Sequence, residues 1–268
     1  MTEPIVPVLI AQWAVLDELL TALDDADWET ETGLPGWRVR DVVAHVIGTE
    51  AQLCGDAAPE PTVDVRALPY VHNDLAAANE LWVQALRPES PVAVLARFRD
   101  VTRRRAKDLE AMTEADFDAP SWTPAGQGTY RRLLEFRVFD CWCHDQDIRD
   151  AVGRPGHETG PSAERAIDQI VGALGYLVGK RAGVPAGSAI TVELTGPVRR
   201  TLHVVVDGRA RLVGELDRPA TTTVSLSSGL FVRLAGGRVD PAGHLPEIGI
   251  AGDAELGRRL VENLNFTP

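Results

Sequence analysis

The apolar residues of this chain change their spacing once, near residue 185, and that change constrains the fold more than any other feature. Before it they recur at helical intervals, with Val8, Leu9, Ala11, Leu16, Leu19, Leu20 and Leu23 over residues 5–24 and Val39, Val42, Val43, Val46 and Ile47 over 38–53. Helical patterns also cover 70–87, 91–112, 129–152 and 161–180, the 129–152 stretch ended by Gly153, Arg154 and Pro155. From Ser188 the period becomes 2, in the short β-branched runs AITVEL, TLHVVVDG, ARLVGEL and ATTTVSL. A helix over 228–235, an apolar segment near 247–251 and a last helix over 254–263, N-capped by Asp253, complete the pattern. The order predicts an α+β protein: a helical bundle over residues 1–182, then a small α+β domain over 188–268, with AGVPAGS as the linker. At 268 residues the chain is long enough for each part to bury its own core.

Charge excludes several partners. A formal net charge of -12 leaves no basic footprint for neutralising phosphates, so neither nucleic acid nor a membrane surface is expected. The one basic cluster, Arg97, Arg99, Arg103, Arg104, Arg105 and Lys107, reads as a solvated helix face. No apolar run approaches the ~18–20 residues of a membrane span, and no basic segment precedes an apolar stretch at the start, so no signal peptide is expected. Three cysteines, Cys54, Cys141 and Cys143, cannot build a disulfide framework. These features predict a cytoplasmic protein with reduced thiols, whose acidic, mixed surface permits a monomer or a weak homodimer.

Chemistry concentrates on two helices. Asp140 and His144, four residues apart in 129–152, share one helix face. His45 sits in the apolar stretch DVVAHVIG, where an imidazole is either hydrogen-bonded in the core or a ligand. Helical bundles build metal sites from side chains on facing helices, and an i,i+4 pair on one of them is a common component. Two imidazoles and a carboxylate would leave a divalent ion an open position, the catalytic pattern. Such ligands accept zinc, nickel, cobalt, manganese or iron. Asp147, three residues after His144, either orients that imidazole or pairs with Arg149 or Arg40. Asp41 reads as a first-turn carboxylate favouring the helix dipole. In CWCH, Cys141 and Cys143 point to different faces of a helix, which argues against a structural zinc site and for small core residues. No G-x-S-x-G elbow and no P-loop is present, which removes serine hydrolases and P-loop nucleotide enzymes.

GLPGWRVRDVVAHVIGTE (33–50) and FRVFDCWCHDQDIRDAVGRP (136–155) resemble the two helical signatures of the mycothiol-dependent maleylpyruvate isomerase family. Its bundle is similar to that of DinB-like metalloproteins. The tail DRPATTTVSLSSGLFVRLAGGRVD…IGIAGDAELGRRLVENL (217–264) resembles its sterol-carrier-like C-terminal domain. The resemblance implies a DinB-like four-helix bundle and a divalent metal, usually zinc, on His45, Asp140 and His144. It also implies mycothiol as co-substrate, a small electrophilic substrate, and isomerase or S-transferase chemistry. Mycothiol is the actinobacterial thiol, and a chain in which 25 of 27 basic residues are arginine agrees with such a GC-rich host. Arg218, Arg233 and Arg238 become candidates for anchoring a carboxylate of the thiol or substrate. One residue departs from the family pattern: its carboxylate is commonly Glu, and Asp140 reaches roughly 1.5 Å less far, one carbon–carbon bond. The helices must then approach more closely, or the ion binds weakly or through a water. Other readings of the same residues are a non-catalytic small-molecule binding protein with a vestigial metal site, and a metal-dependent hydrolase.

Overall fold

The computed structural model describes residues 4–267, and the chain divides into two compact units between Gly156 and His157. The first contains α1 (Ile5–Thr21), α2 (Asp25–Trp28), α3 (Val39–Leu53), α4 (Asp74–Leu86), α5 (Pro91–Ala111), α6 (Glu114–Asp118), β1 (Pro120–Thr123), β2 (Gly126–Thr129) and α7 (Tyr130–Val152). Local signals set these boundaries. Ser90 caps α5 by accepting from the Ala93 amide, with Pro91 at the first helical position where its missing N–H costs nothing. Thr129 caps α7 in the same way, and Gly153 ends it in the left-handed region at φ 65°, which a residue without a Cβ adopts freely.

The four long helices α1, α3, α5 and α7 form the expected bundle. Their inward faces, among them Leu9, Trp13, Leu16, Val42, Val46, Phe98, Leu109, Leu134 and Val138, close into one apolar core. On α7 the buried apolar stripe runs through Leu134, Val138, Cys141 and Ile148. The stretch 119–129, whose turn residues suggest a plain loop, instead pairs β1 with β2 as an antiparallel hairpin, with Trp122 exposed at the strand.

Helix α4 lies against α3 at a point where only glycine fits: a Cβ on Gly48 would stand 2.3 Å from Cγ of Trp82. Gly48→Ala would ordinarily favour a helix by about 1 kcal/mol. Here overpacking is expected to outweigh that, with a net loss of roughly 1–2 kcal/mol, measurable as a lower midpoint in urea.

The second unit contains α8 (Pro161–Tyr176), extended by a π-helical turn at Leu177–Arg181, then β3 (Ala189–Thr195), β4 (Arg200–Asp207), β5 (Arg209–Val213), β6 (Thr222–Ser227), α9 (Ser228–Ala235), α10 (Pro241–His244), β7 (Gly249–Gly252) and α11 (Ala254–Glu262). The strands form one sheet in the order β5-β4-β3-β6-β7, parallel only between β3 and β6. Ile190, Val192 and Leu194 of β3 and Val224 and Leu226 of β6 supply its buried positions. Asp253 caps α11 by accepting from the Leu256 amide.

The expected boundary at 182–188 is corrected to 156–157. Helix α8 buries Ala163, Ala166, Ile167, Ile170 and Leu174 within the second unit, packed on β4 and β5. Its Glu164 and Asp168 both pair with Arg200 of β4. A helical period shows that a face is apolar, not which core receives it, so the sequence pattern alone assigned this helix to the wrong side.

Candidate functional site

His45 lies in the second turn of α3, and Asp140 and His144 one turn apart on α7, two helices that pack directly. Nε2 of His45 is 3.3 Å from Oδ2 of Asp140, and Nε2 of His144 is 3.4 Å from Oδ1. One ligand-capable atom from each of the three side chains lies within 4.8 Å of the others, the one such cluster of three among the described residues. The two close contacts fall on different oxygens of Asp140, and a spread of no more than 4.8 Å is near enough for a single ion to draw the three ligand-capable atoms together. For all its shorter reach, the carboxylate of Asp140 stands beside both imidazoles. The imidazole side chains are 8% and 5% exposed and that of Asp140 is 32% exposed, so solvent reaches the cluster from the carboxylate side.

The ring atoms not facing Asp140 differ. Nδ1 of His144 donates to Asp147 Oδ2 at 2.9 Å, which fixes the tautomer that leaves Nε2 free to accept a proton or a cation. Asp147 thus contacts His144 as an orienting residue would, while Arg149 pairs with Asp145 and Arg40 with Glu29. Nδ1 of His45 is buried without a hydrogen-bond partner. Burial alone lowers both imidazole pKa values; for His144 the carboxylates of Asp140 and Asp147 override it and lift the value to about 9, while His45 stays below its ordinary value. Burial would raise the Asp140 pKa, but His144, Arg137 and His45 hold it well below the usual carboxylate range. Without a cation the cluster is thus an ion pair, with one imidazole protonated against one carboxylate.

Several residues that shape this site lie outside the predicted set. Trp37 packs its ring 5.3 Å from that of His45 and 6.3 Å from that of His144, and donates to buried Glu80 at 2.5 Å. It also lines a cavity of about 720 Å³ formed by the 31–38 loop with Arg40 and Arg87. The guanidiniums there are engaged, Arg87 with Asp41 and Arg38 and Arg40 with Glu29. Asp41 also accepts from the Arg38 amide, the first-turn role its position predicts.

Beneath the cluster runs a buried ladder of alternating charge. Arg137 donates through Nη1 to Asp140 Oδ2 at 2.6 Å and through Nε to Glu50 Oε1 at 2.9 Å. The other oxygen of Glu50 accepts from Arg105 Nε at 3.1 Å, and Arg105 Nη2 donates to the Tyr130 hydroxyl. Glu50, Arg105 and Arg137 are all fully or almost fully buried. The basic cluster of α5 is therefore only in part a solvated face. Arg97, Arg99, Arg103 and Arg104 make exposed ion pairs, but Arg105 is turned into the core because Glu50 is there to receive it. Cys141 and Cys143 are buried as well, and burial pushes the Cys141 thiol up to about 12, far from a reactive thiolate. The remaining predicted residues belong to the second unit: Arg218 pairs with Asp207 and Asp217, Arg233 lies 3.9 Å from Glu158, and Arg238 donates to the Gly236 carbonyl.

Residues 9–149 match the family model described as the mycothiol maleylpyruvate isomerase N-terminal domain, and residues 164–259 match the C-terminal domain of the same family. The chain belongs to this enzyme family. Crystal structures of the mycothiol-dependent maleylpyruvate isomerase and of a histidine-to-alanine mutant of it share the fold. The mutant superposes with a TM-score of 0.60 at 16% identity over 94% of this chain and 95% of that one. The other superposes with 0.59 at 17% identity over 89% and 92%. No curated protein sequence matches. Both domain matches agree with a boundary between 149 and 164. No helix among the described residues is long and apolar enough to cross a membrane.

Proposed function

We propose that this chain is a metal- and mycothiol-dependent isomerase or S-transferase of small electrophiles, with His45, Asp140 and His144 as metal ligands. The observation that supports it is the convergence of two imidazoles and a carboxylate within 4.8 Å, one imidazole held by Asp147 through its other nitrogen. A divalent ion there, zinc in the first place, would supply an acidified thiol, present as the thiolate nucleophile at neutral pH. The chain's own residues do the rest of the local work. Asp147 keeps His144 in the ligating tautomer, and the Trp37 ring walls the two imidazoles on one side. For a cis-alkene conjugated to a carbonyl, the thiolate forms a carbon–sulfur bond, the alkene electrons move onto the carbonyl, the single bond rotates, and expulsion of the thiolate restores the alkene in the trans form. Displacement of a leaving group by the same thiolate would make the enzyme a transferase.

A second reading, a non-catalytic small-molecule binding protein, has one observation in its favour: Arg137 already neutralises Asp140 without any ion. Zinc titration of the metal-free full chain, followed by turnover of maleylpyruvate and other activated cis-alkenes with and without mycothiol, separates the readings. The proposal expects one ion per chain and turnover only with the thiol. Failure to take up zinc, nickel or cobalt at neutral pH favours the binder, and thiol-independent formation of a water-cleaved product favours metal-dependent hydrolysis. Asp147→Asn is expected to weaken zinc binding about 10–100-fold, the usual cost of losing a partner that orients a ligating histidine, as read by competition with a chromophoric chelator.

A further inference from the structure

Arg137 stands in an unusual place for a residue beside a cation site: a buried guanidinium 2.6 Å from the carboxylate that would ligate the ion. Two physical roles are open to it. As a competing cation it would repel the metal and weaken binding. As a hydrogen-bond donor it would occupy one oxygen of Asp140 and fix the other. The geometry favours the second. Arg137 is held from behind by Glu50, which contacts both its Nε and its Nη2, so its remaining Nη1 is aimed without freedom to follow the carboxylate. That Nη1 takes Oδ2, the oxygen that also stands 3.3 Å from Nε2 of His45, while Oδ1 faces Nε2 of His144 and carries no guanidinium. A ligating carboxylate is ordinarily anchored in this manner, one oxygen on the metal and the other on a fixed donor. The short side chain of Asp140 makes the anchor matter more, since a small rotation would carry its oxygen out of reach.

We propose that Arg137 is a positioning residue for Asp140: backed by Glu50 and Arg105, it pins Oδ2 beside His45 and leaves Oδ1 as the unoccupied oxygen that serves a metal ion as a single-oxygen ligand. This rests on the metal reading above. Arg137 does not touch substrate or thiol in this role and acts only through Asp140.

The test measures affinity of the metal-free full chain for zinc and cobalt by chelator competition, in the native protein and in Arg137→Met, Arg137→Lys and Leu109→Ala. Leu109 is fully buried on α5, and its truncation supplies a general loss of stability for comparison. Arg137→Met is expected to weaken both metals about 10–100-fold and to change the visible absorption of the cobalt form. Arg137→Lys, which keeps the charge but offers a compact point donor in place of a fork, is expected to recover part of that loss. Leu109→Ala should leave affinity within threefold of native while lowering the unfolding midpoint. Affinity within threefold of native, or tighter, in both Arg137 variants overturns the inference, and so does an equal loss in Leu109→Ala. If Arg137→Met does not fold, Arg137→Lys carries the decision: a measurable loss supports the role, and none overturns it. Absence of metal binding by the native chain instead overturns the metal reading itself.

Discussion

Replacing Glu50 with alanine is expected to lower the stability of the first unit by about 3–5 kcal/mol, the typical cost of leaving a buried charge without its partner. The total stability of a domain is only about 5–15 kcal/mol, so this one substitution brings the unit to the edge of unfolding. The reason is the arithmetic of the ladder. Arg105, Glu50, Arg137 and Asp140 alternate in sign and sum to zero, and three of the four are sealed from water. Glu50→Ala leaves two buried guanidiniums facing one partly exposed carboxylate. Glu50→Leu with Arg105→Met removes one charge of each sign and leaves Arg137 on Asp140, so the double variant should recover at least half of the loss. Urea unfolding of Glu50→Leu, Arg105→Met and the double variant, beside Glu50→Ala, gives the coupling directly. A double variant no more stable than Glu50→Ala would show that volume and packing, rather than charge balance, set the cost.

His144→Ala is expected to abolish stoichiometric zinc binding and to reduce thiol-dependent turnover to background, because two remaining donors cannot complete a catalytic site of the three-ligand kind. The variant also carries a pH signature. In the metal-free protein the His144 pKa stands at about 9, above its ordinary 6.5. Its contribution to stability is therefore fully present below pH 6.5 and lost as the pH rises through about 9. Asp140 has the opposite sense: with its pKa depressed, it stabilises above its ordinary 3.8 and loses that contribution on acidification. Between pH 6.5 and 9 the metal-free native chain should show a falling Tm, and His144→Ala should lack that component. Zinc must displace the same proton, so native affinity should climb across the same interval and proton release should accompany binding near pH 7. Calorimetry in buffers of different ionisation enthalpy measures that release. A native chain that binds zinc with no proton release would rule out His144 as the titrating ligand.

The helical and strand regions and the grouping of His45, Asp140 and His144 are legible in the sequence because each rests on a periodic or short-range signal. The 3.6 period located the bundle helices, the period of 2 located the strands, and i,i+4 spacing put Asp140 and His144 on one face. His45 was visible as the polar residue within an apolar stripe. The ladder follows the same logic in a form harder to recognise. Glu50 continues the buried positions of α3 after Val43, Val46 and Ile47, and Arg137 lies among Leu134, Val138 and Cys141 on α7. A charged residue in such a stripe is ordinarily solvated or displaced to a helix edge, and nothing in one helix shows that a partner waits on another. Arg105 was hidden further by its neighbours, since three consecutive arginines suggest a wet surface although only the third is buried. Trp37 was marked only by the loop that carries it. The boundary at 156 was missed because ownership of α8 is decided by tertiary packing.

The charge ladder also limits how this chain can drift. Its members sit on three helices, α3, α5 and α7, so no single substitution can retire one of them quietly. Losing either arginine strands an anion, and losing the glutamate strands a cation. The accessible routes are paired ones, in which positions 50 and 105 become neutral together or position 137 changes in step with 140. Among descendants of a common ancestor, correlated replacement at these positions would mark lineages that abandoned the ladder intact, rung by matched rung.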